Sequence, residues 1–217
     1  MTLSKEMIDG LIGISGKHSN QGKKLIIYND KSGSMSGRPY QAVLAASKSL
    51  ADLVFADDTS TDENVFESVR TVFYHSKCMP TEANTKMAYL QRIKKEDDNR
   101  FGGTSFSACF QDINKVVKSM KNGSEVFILF NSDGQDSRNG LGQLQSFLKD
   151  QEKSRNIQST VYCLGLSKYH DAAFLNEIAK SGSNQGNFIY IDTTKHNFEQ
   201  ELTEALQSSL GMAVSMA

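Results

Sequence analysis

The amino-acid sequence predicts an α/β protein: a doubly wound, mostly parallel central sheet with helices on both faces. Three observations carry that expectation. Short, nearly continuous apolar clusters recur from end to end of the chain, as strands buried on both faces require. Between them lie stretches whose apolar residues repeat at helical spacing and form a single stripe. Two of the clusters also end in an acid beside hydroxyls and glycine, the composition expected where the strands of an open α/β sheet give way to ligand-binding loops.

Leu25-Ile26-Ile27-Tyr28 forms the first predicted strand, followed by Val69 to Tyr74, Val126 to Phe130, Val161 to Leu164 and Phe188 to Ile191. Each run is too short for a buried helix. After the first strand, Tyr40, Val43, Leu44, Ser47, Leu50 and Val54 fall on one helical face, with Pro39 in the permissive first turn. Phe106, Phe110, Ile113, Val117 and Met120 repeat the pattern, as do Leu141, Leu144 and Leu148. Two more stripes follow at Phe174, Leu175 and Ile178, and at Phe198, Leu202, Leu206 and Leu210. All are read as core. The stretch from Thr81 to Asn99 predicts a further helix, with Met87, Leu90 and Ile93 inward and Lys94-Lys95-Glu96-Asp97-Asp98 as a solvated end. Parallel strands joined by helices use right-handed crossovers, which leads to a three-layer sandwich. One domain over residues 1–217 accounts for the pattern, with a core at about 23–215 and the leader 1–22 left unplaced.

Composition narrows the function classes. Lys plus Arg number 24 against 25 Asp plus Glu, so bulk charge attracts neither a nucleic acid nor an anionic membrane. No apolar run is long enough to span a bilayer, so no membrane insertion is expected. The start, MTLSKEMIDG, lacks a basic segment followed by an apolar one, and a cytoplasmic location is the expectation. Cys78, Cys109 and Cys163 are widely separated with no C-x-x-C spacing, and reduced thiols are expected. His18, His75, His170 and His196 stand apart from one another and from any nucleophile.

The residues that carry chemistry follow two strands. The first ends in Asn29-Asp30 and runs into Lys31-Ser32-Gly33-Ser34-Met35-Ser36-Gly37; the third runs into Asn131-Ser132-Asp133-Gly134. If these strands are neighbours where strand order reverses, their ends lie ~5 Å apart and Asp30 and Asp133 face one pocket. Phe101-Gly102-Gly103-Thr104-Ser105 is a glycine turn opening a helix, able to bring Thr104 to the same point. Two carboxylates and three hydroxyls are hard oxygen donors, suited to Mg²⁺ or Mn²⁺, with Ca²⁺ as a further alternative. Zinc fits this set poorly, since no Cys or His belongs to it. Taken singly, each group has a plainer account: Asp30, Ser32, Ser34 and Thr104 as helix caps, Asp133 as a turn residue.

Asp30-x-Ser32-x-Ser34, Thr104 after a double glycine, and Asp133-Gly134 after an apolar strand together resemble the metal-ion-dependent adhesion site of von Willebrand factor A domains. The resemblance runs over about residues 23 to 215 in element order as well as motif. His75 to Pro80 leaves little room for the short antiparallel edge strand that family places after its second strand. The resemblance implies a Rossmann-like sheet and a protein-binding module, not an enzyme. Asp30, Ser32, Ser34 and either Thr104 or Asp133 would hold the metal directly or through water, and a partner's Glu or Asp would complete its shell. Lys31, Met35, Arg38, Gln135, Asp136 and Arg138 are candidates for ringing the site and touching that partner. It also implies a place in a larger assembly. A Mg²⁺-dependent hydrolase or phosphatase with Asp30 as nucleophile is the rival from another class. Phosphatases that begin this way carry a second Asp two residues on, where this chain has Ser32. A scaffold whose partners dock away from the metal is the third reading.

Overall fold

The computed structural model describes residues 21–55, 64–96, 100–136, 138–166 and 170–215. The predicted leader, apart from residues 21 and 22, lies outside the described residues, as do His18, Asp97, Asp98 and Asn99. In chain order the elements are β1 (Lys23–Asp30), a single 3-10 turn (Gly33–Met35), α1 (Arg38–Val54), β2 (Ser68–Tyr74), β3 (Cys78–Ala83), α2 (Lys86–Lys95) and α3 (Phe106–Ser119). There follow β4 (Glu125–Ser132), α4 (Leu141–Arg155), β5 (Gln158–Leu166), α5 (Ala172–Ala179), β6 (Asn187–Ile191) and α6 (Phe198–Ser215).

The strands form one sheet in the order β3-β2-β1-β4-β5-β6. Every pairing is parallel except β2 with β3. Side chains alternate across it and so divide the core in two. Leu25 and Ile27 of β1 meet Phe127 and Leu129 of β4 beneath α1, α2 and α6. Ile26 and Tyr28 meet Val126, Ile128 and Phe130 on the other face, beneath α3, α4 and α5. On that face Tyr28 stacks on Phe130 with ring centroids 4.7 Å apart.

Four expectations are corrected. The antiparallel edge strand exists as β3, and it takes Thr81, Glu82 and Ala83 from the N-terminal end of the predicted helix. Pro80 is tolerated there because an edge strand has one side without a ladder partner. The helix that remains starts only after Thr85, whose hydroxyl accepts the Ala88 N–H at 3.3 Å. It turns Tyr89 and Ile93 inward, i and i+4 apart, with Leu90 packed partly against the core. Met87 lies two residues before Tyr89, about 200° round the helix, and is 61% exposed. Glu96, read as part of a solvated charge run, is buried. The other predicted strands and helical stripes stand where the sequence puts them.

Strand order reverses between β1 and β4, which pair in register from Lys23 with Glu125 to Asn29 with Asn131. Open α/β sheets bind ligands in the crevice outside the carboxyl ends of the strands at such a point.

Candidate functional site

Backbone pairing and one side-chain cap gather three loops above that crevice. Beyond β1, Ser32 and Gly102 form an isolated parallel bridge. The Gly33 N–H donates to the Gly102 carbonyl at 2.8 Å, and the Gly102 N–H to the Lys31 carbonyl at 3.3 Å. Only glycine suits this second loop at position 102, since a Cβ would lie 2.8 Å from Nδ1 and 3.1 Å from Cβ of His75. The third loop grips the second from the other side: Oδ2 of Asp136 accepts the Phe106 N–H at 2.6 Å. Thr104 sits midway between these two anchors, half-buried. Gly134, at φ +74°, turns the third loop beside Leu175, where a Cβ would lie 2.9 Å from the Leu175 Cγ.

Asp30 and Asp133 are both buried at these loop bases, as is Ser32, while Ser34 is exposed at the mouth. Asp30 Oδ1 accepts the Ser32 N–H at 2.8 Å, and its Oδ2 accepts the Ser132 hydroxyl at 2.6 Å and the Tyr74 hydroxyl at 3.5 Å. Burial pushes the Asp30 carboxyl up to about 6; the Ser132 and Ser32 hydrogen bonds pull it down, and the nearby Asp133 charge adds to the rise. Asp133 Oδ1 accepts the Gln135 N–H at 3.4 Å. Among the described residues no lysine or arginine forms a salt bridge with either carboxylate. Lys31, next to Asp30 in sequence, turns away to Glu96, with Nζ 2.9 Å from Oε2. Asp30 and Asp133 are therefore buried close together with no described lysine or arginine paired to either.

The plainer accounts fare unevenly. Ser105, not Thr104, caps α3, its hydroxyl accepting the Ala108 N–H at 3.4 Å. Gly37 stands at the cap of α1, and Ser32 makes no capping hydrogen bond to the 3-10 turn. The Ser32 and Ser34 hydroxyls instead lie 3.0 Å from each other. Asp133 does make a turn contact, through Gln135.

Of the residues expected to ring the site, two are corrected. Lys31 and Met35 are buried, 2% and 1% exposed, so neither side chain is presented to a partner. Lys31 is held by the Glu96 carboxylate and carbonyl, and Met35 is packed into the core beneath α1. Arg38 is exposed, lies over the Phe198 ring and donates to the carbonyls of Lys195 and His196 on the α6 side. Gln135 is exposed. Asp136 holds α3, and Arg138 is paired with Asp171 and Glu177 at 3.2 and 3.1 Å. The motif reading missed Ser132, Tyr74 and Glu96. Ser132 was within reach, because it aligns on the same face of the sheet as Tyr28 and Phe130 and immediately precedes Asp133; its hydroxyl also accepts the Gly134 N–H at 2.9 Å. Glu96 carried no such signal.

No family model matches the chain. No curated protein matches it in sequence. Solved structures do. An aerotolerance-related membrane protein from Bacteroides fragilis, carrying multiple mutations to serines, is 17% identical with a TM-score of 0.61, over 88% of this chain and 100% of that one. A von Willebrand factor type A structure from Catenulispora acidiphila is 14% identical with a TM-score of 0.58, over 87% of this chain and 42% of that one. Proximal thread matrix protein 1 from the mussel byssus, solved with zinc in its MIDAS motif, the metal-ion-dependent adhesion site, is 16% identical with a TM-score of 0.56. That match covers 84% of this chain and 45% of the mussel protein. The chain thus spans the whole of the first and less than half of the other two. At these identities the likeness establishes the fold, an α/β sheet of von Willebrand factor A type.

Proposed function

We propose that the chain is a divalent-metal-dependent protein-binding module, not an enzyme, in which Asp30, Ser32, Ser34, Thr104 and Asp133 hold the ion. The observation that carries this reading is the pair of buried carboxylates that have no cationic partner among the described residues, set among hydroxyls from three loops. A divalent ion supplies two positive charges where Lys31, paired with Glu96, supplies none. The donor set fits it: neighbouring oxygens of a Mg²⁺ octahedron lie ~3.0 Å apart at bond lengths of ~2.1 Å, and Ser32 Oγ and Ser34 Oγ are 3.0 Å apart. Among the described residues no three His, Cys, Asp or Glu side chains converge on a metal position; in this reading the hydroxyls complete the set. Two carboxylates balance the formal charge of the ion and the hydroxyls add none, so the bound ion remains able to attract an outside carboxylate. An acidic side chain of a protein partner is therefore the ligand class we assign. The zinc in the mussel protein's MIDAS motif supports a divalent ion and widens the candidates beyond Mg²⁺, Mn²⁺ and Ca²⁺. In this chain Asp30 orients the first loop through the Ser32 amide, Asp136 keeps the Thr104 segment in place, and Ser132 holds the Asp30 carboxylate.

The test is a titration of the protein with Mg²⁺, Mn²⁺, Ca²⁺ and Zn²⁺, followed by pull-down from cell extract with and without chelator. At least one ion is expected to bind, and Asp30→Ala or Thr104→Ala to lose both ion and captured proteins while remaining folded. No uptake of any ion would overturn the reading, and capture that survives chelation would place the partner surface elsewhere. Turnover of a phosphoester that depends on Asp30 would move the chain into the enzyme class.

A further inference from the structure

Two thiols that are remote in sequence meet beside the site. Cys78 Sγ and Cys109 Sγ lie 3.6 Å apart across a separation of 31 residues. Cys78 begins the edge strand β3, paired with Tyr74 of β2, and is half-buried. Cys109 is buried in the first turns of α3, where its thiol donates to the Ser105 carbonyl at 3.6 Å. Cys163 lies on β5, four positions along the sheet from β3.

We infer that Cys78 and Cys109 are a disulfide-forming pair, whose oxidation staples the sheet edge to α3 and so fixes the loop that presents Thr104. The sulfurs stand at van der Waals contact, and a bond of ~2.05 Å needs about 1.5 Å of approach. An edge strand, bonded along one side only, is the element best able to supply it. The oxidant is a low-molecular-weight disulfide such as glutathione disulfide. The Cys78 thiolate attacks one of its sulfurs and expels a glutathione thiolate, leaving a mixed disulfide on Cys78. The Cys109 thiolate then attacks Cys78 Sγ and expels the second glutathione; two protons and two electrons leave the protein and two glutathione thiols form. Cys78 goes first because it is the accessible partner. Burial pushes the Cys109 thiol well up, so the closing step quickens as pH rises. The staple reaches the site through a short chain of contacts: Tyr74, the strand neighbour of Cys78, packs on Phe106 at 5.6 Å and hydrogen-bonds Asp30.

The whole chain is equilibrated in glutathione buffers from fully reducing to oxidising, alkylated, and mapped by mass spectrometry without reduction. A linked peptide containing Cys78 and Cys109 is expected, with Cys163 still alkylatable after unfolding. The oxidised form should melt about 5–10 °C higher, reversed by dithiothreitol. Cys109→Ala should stop at a glutathione adduct on Cys78. A wild-type protein that also stops there, links through Cys163, or gives only dimers overturns the assignment. The effect on the site rests on the metal-binding reading, and its probe is Mg²⁺ alone. Preorganising the Thr104 loop should tighten Mg²⁺ binding severalfold in the oxidised form. Equal affinity in the two redox states overturns the coupling; if Mg²⁺ binds in neither state the same comparison is made with Mn²⁺, Ca²⁺ and Zn²⁺, and uptake of none of them sinks the metal reading and leaves the linked peptide to be judged by itself.

Discussion

Desolvation raises the Asp30 carboxyl from 3.8 to about 6 even though Ser132 and the Ser32 amide bind its oxygens. Folding therefore favours the protonated form. In chelator the stabilisation is fully present below about pH 4 and is lost as pH rises through about 6, a change on the order of 3 kcal/mol. Asp30→Asn, which cannot ionise, should remove that decline and match or exceed the wild type in urea midpoint at pH 7, while losing any Mg²⁺-induced shift. Parallel urea curves for the two proteins from pH 4 to 7 would show that Asp30 carries no such strain. Lys31 poses the complementary case, a buried cation satisfied by Glu96 and by its carbonyl. Glu96→Ala takes the Glu96 carboxylate away from that buried ammonium and should cost about 3–5 kcal/mol in chemical unfolding. A loss under 1 kcal/mol would mean that the Glu96 carboxylate is not what stabilises the buried Lys31 ammonium. At this scale the motif was legible, since Asp30, Ser32, Ser34, Thr104 and Asp133 are all side chains at strand ends or glycine turns. The fate of Lys31 was not, because its partner lies 65 residues away.

The helix α3 and the loop before it owe their position to a cap from another part of the chain. Asp136 receives the Phe106 N–H, so the third loop of the site also terminates the second. Asp136→Ala should lower stability by about 1 kcal/mol and weaken metal binding through the freed Thr104 segment; thermal melts and ion titration on the same variant check both. Unchanged ion affinity in a destabilised variant would separate the cap from the site. Elements with long apolar stripes, such as α1 and α3, were readable directly from spacing. β3 was not: Cys78–Ala83 contains Pro80 and lacks an apolar run, and what makes it a strand is the open edge of β2. Once β3 took Thr81 to Ala83, the helix that follows started later, and Tyr89 replaced Met87 on its inner face.

For the molecule as a whole, an ion that binds only the folded chain adds stability in proportion to its saturation. At a free concentration one hundred times its dissociation constant, the gain is about 2.7 kcal/mol, or roughly 5–10 °C in melting temperature for a domain of this size. Calorimetry with Mg²⁺ and then with excess chelator should show that rise and its reversal; a melting temperature indifferent to both speaks against Mg²⁺ at the loop cluster. The sequence by itself determined the alternation of buried strands and one-sided helices, and the oxygen donors at the ends of β1 and β4. Those are properties of residue spacing, and spacing survives without knowledge of neighbours. Only the tertiary structure decided that β1 and β4 lie side by side, that β3 completes the edge, that Lys31 leaves Asp30 for Glu96, and that Cys78 meets Cys109. Each of these is a contact between distant parts of the chain, set by strand order and by the satisfaction of buried polar groups, which no local pattern encodes.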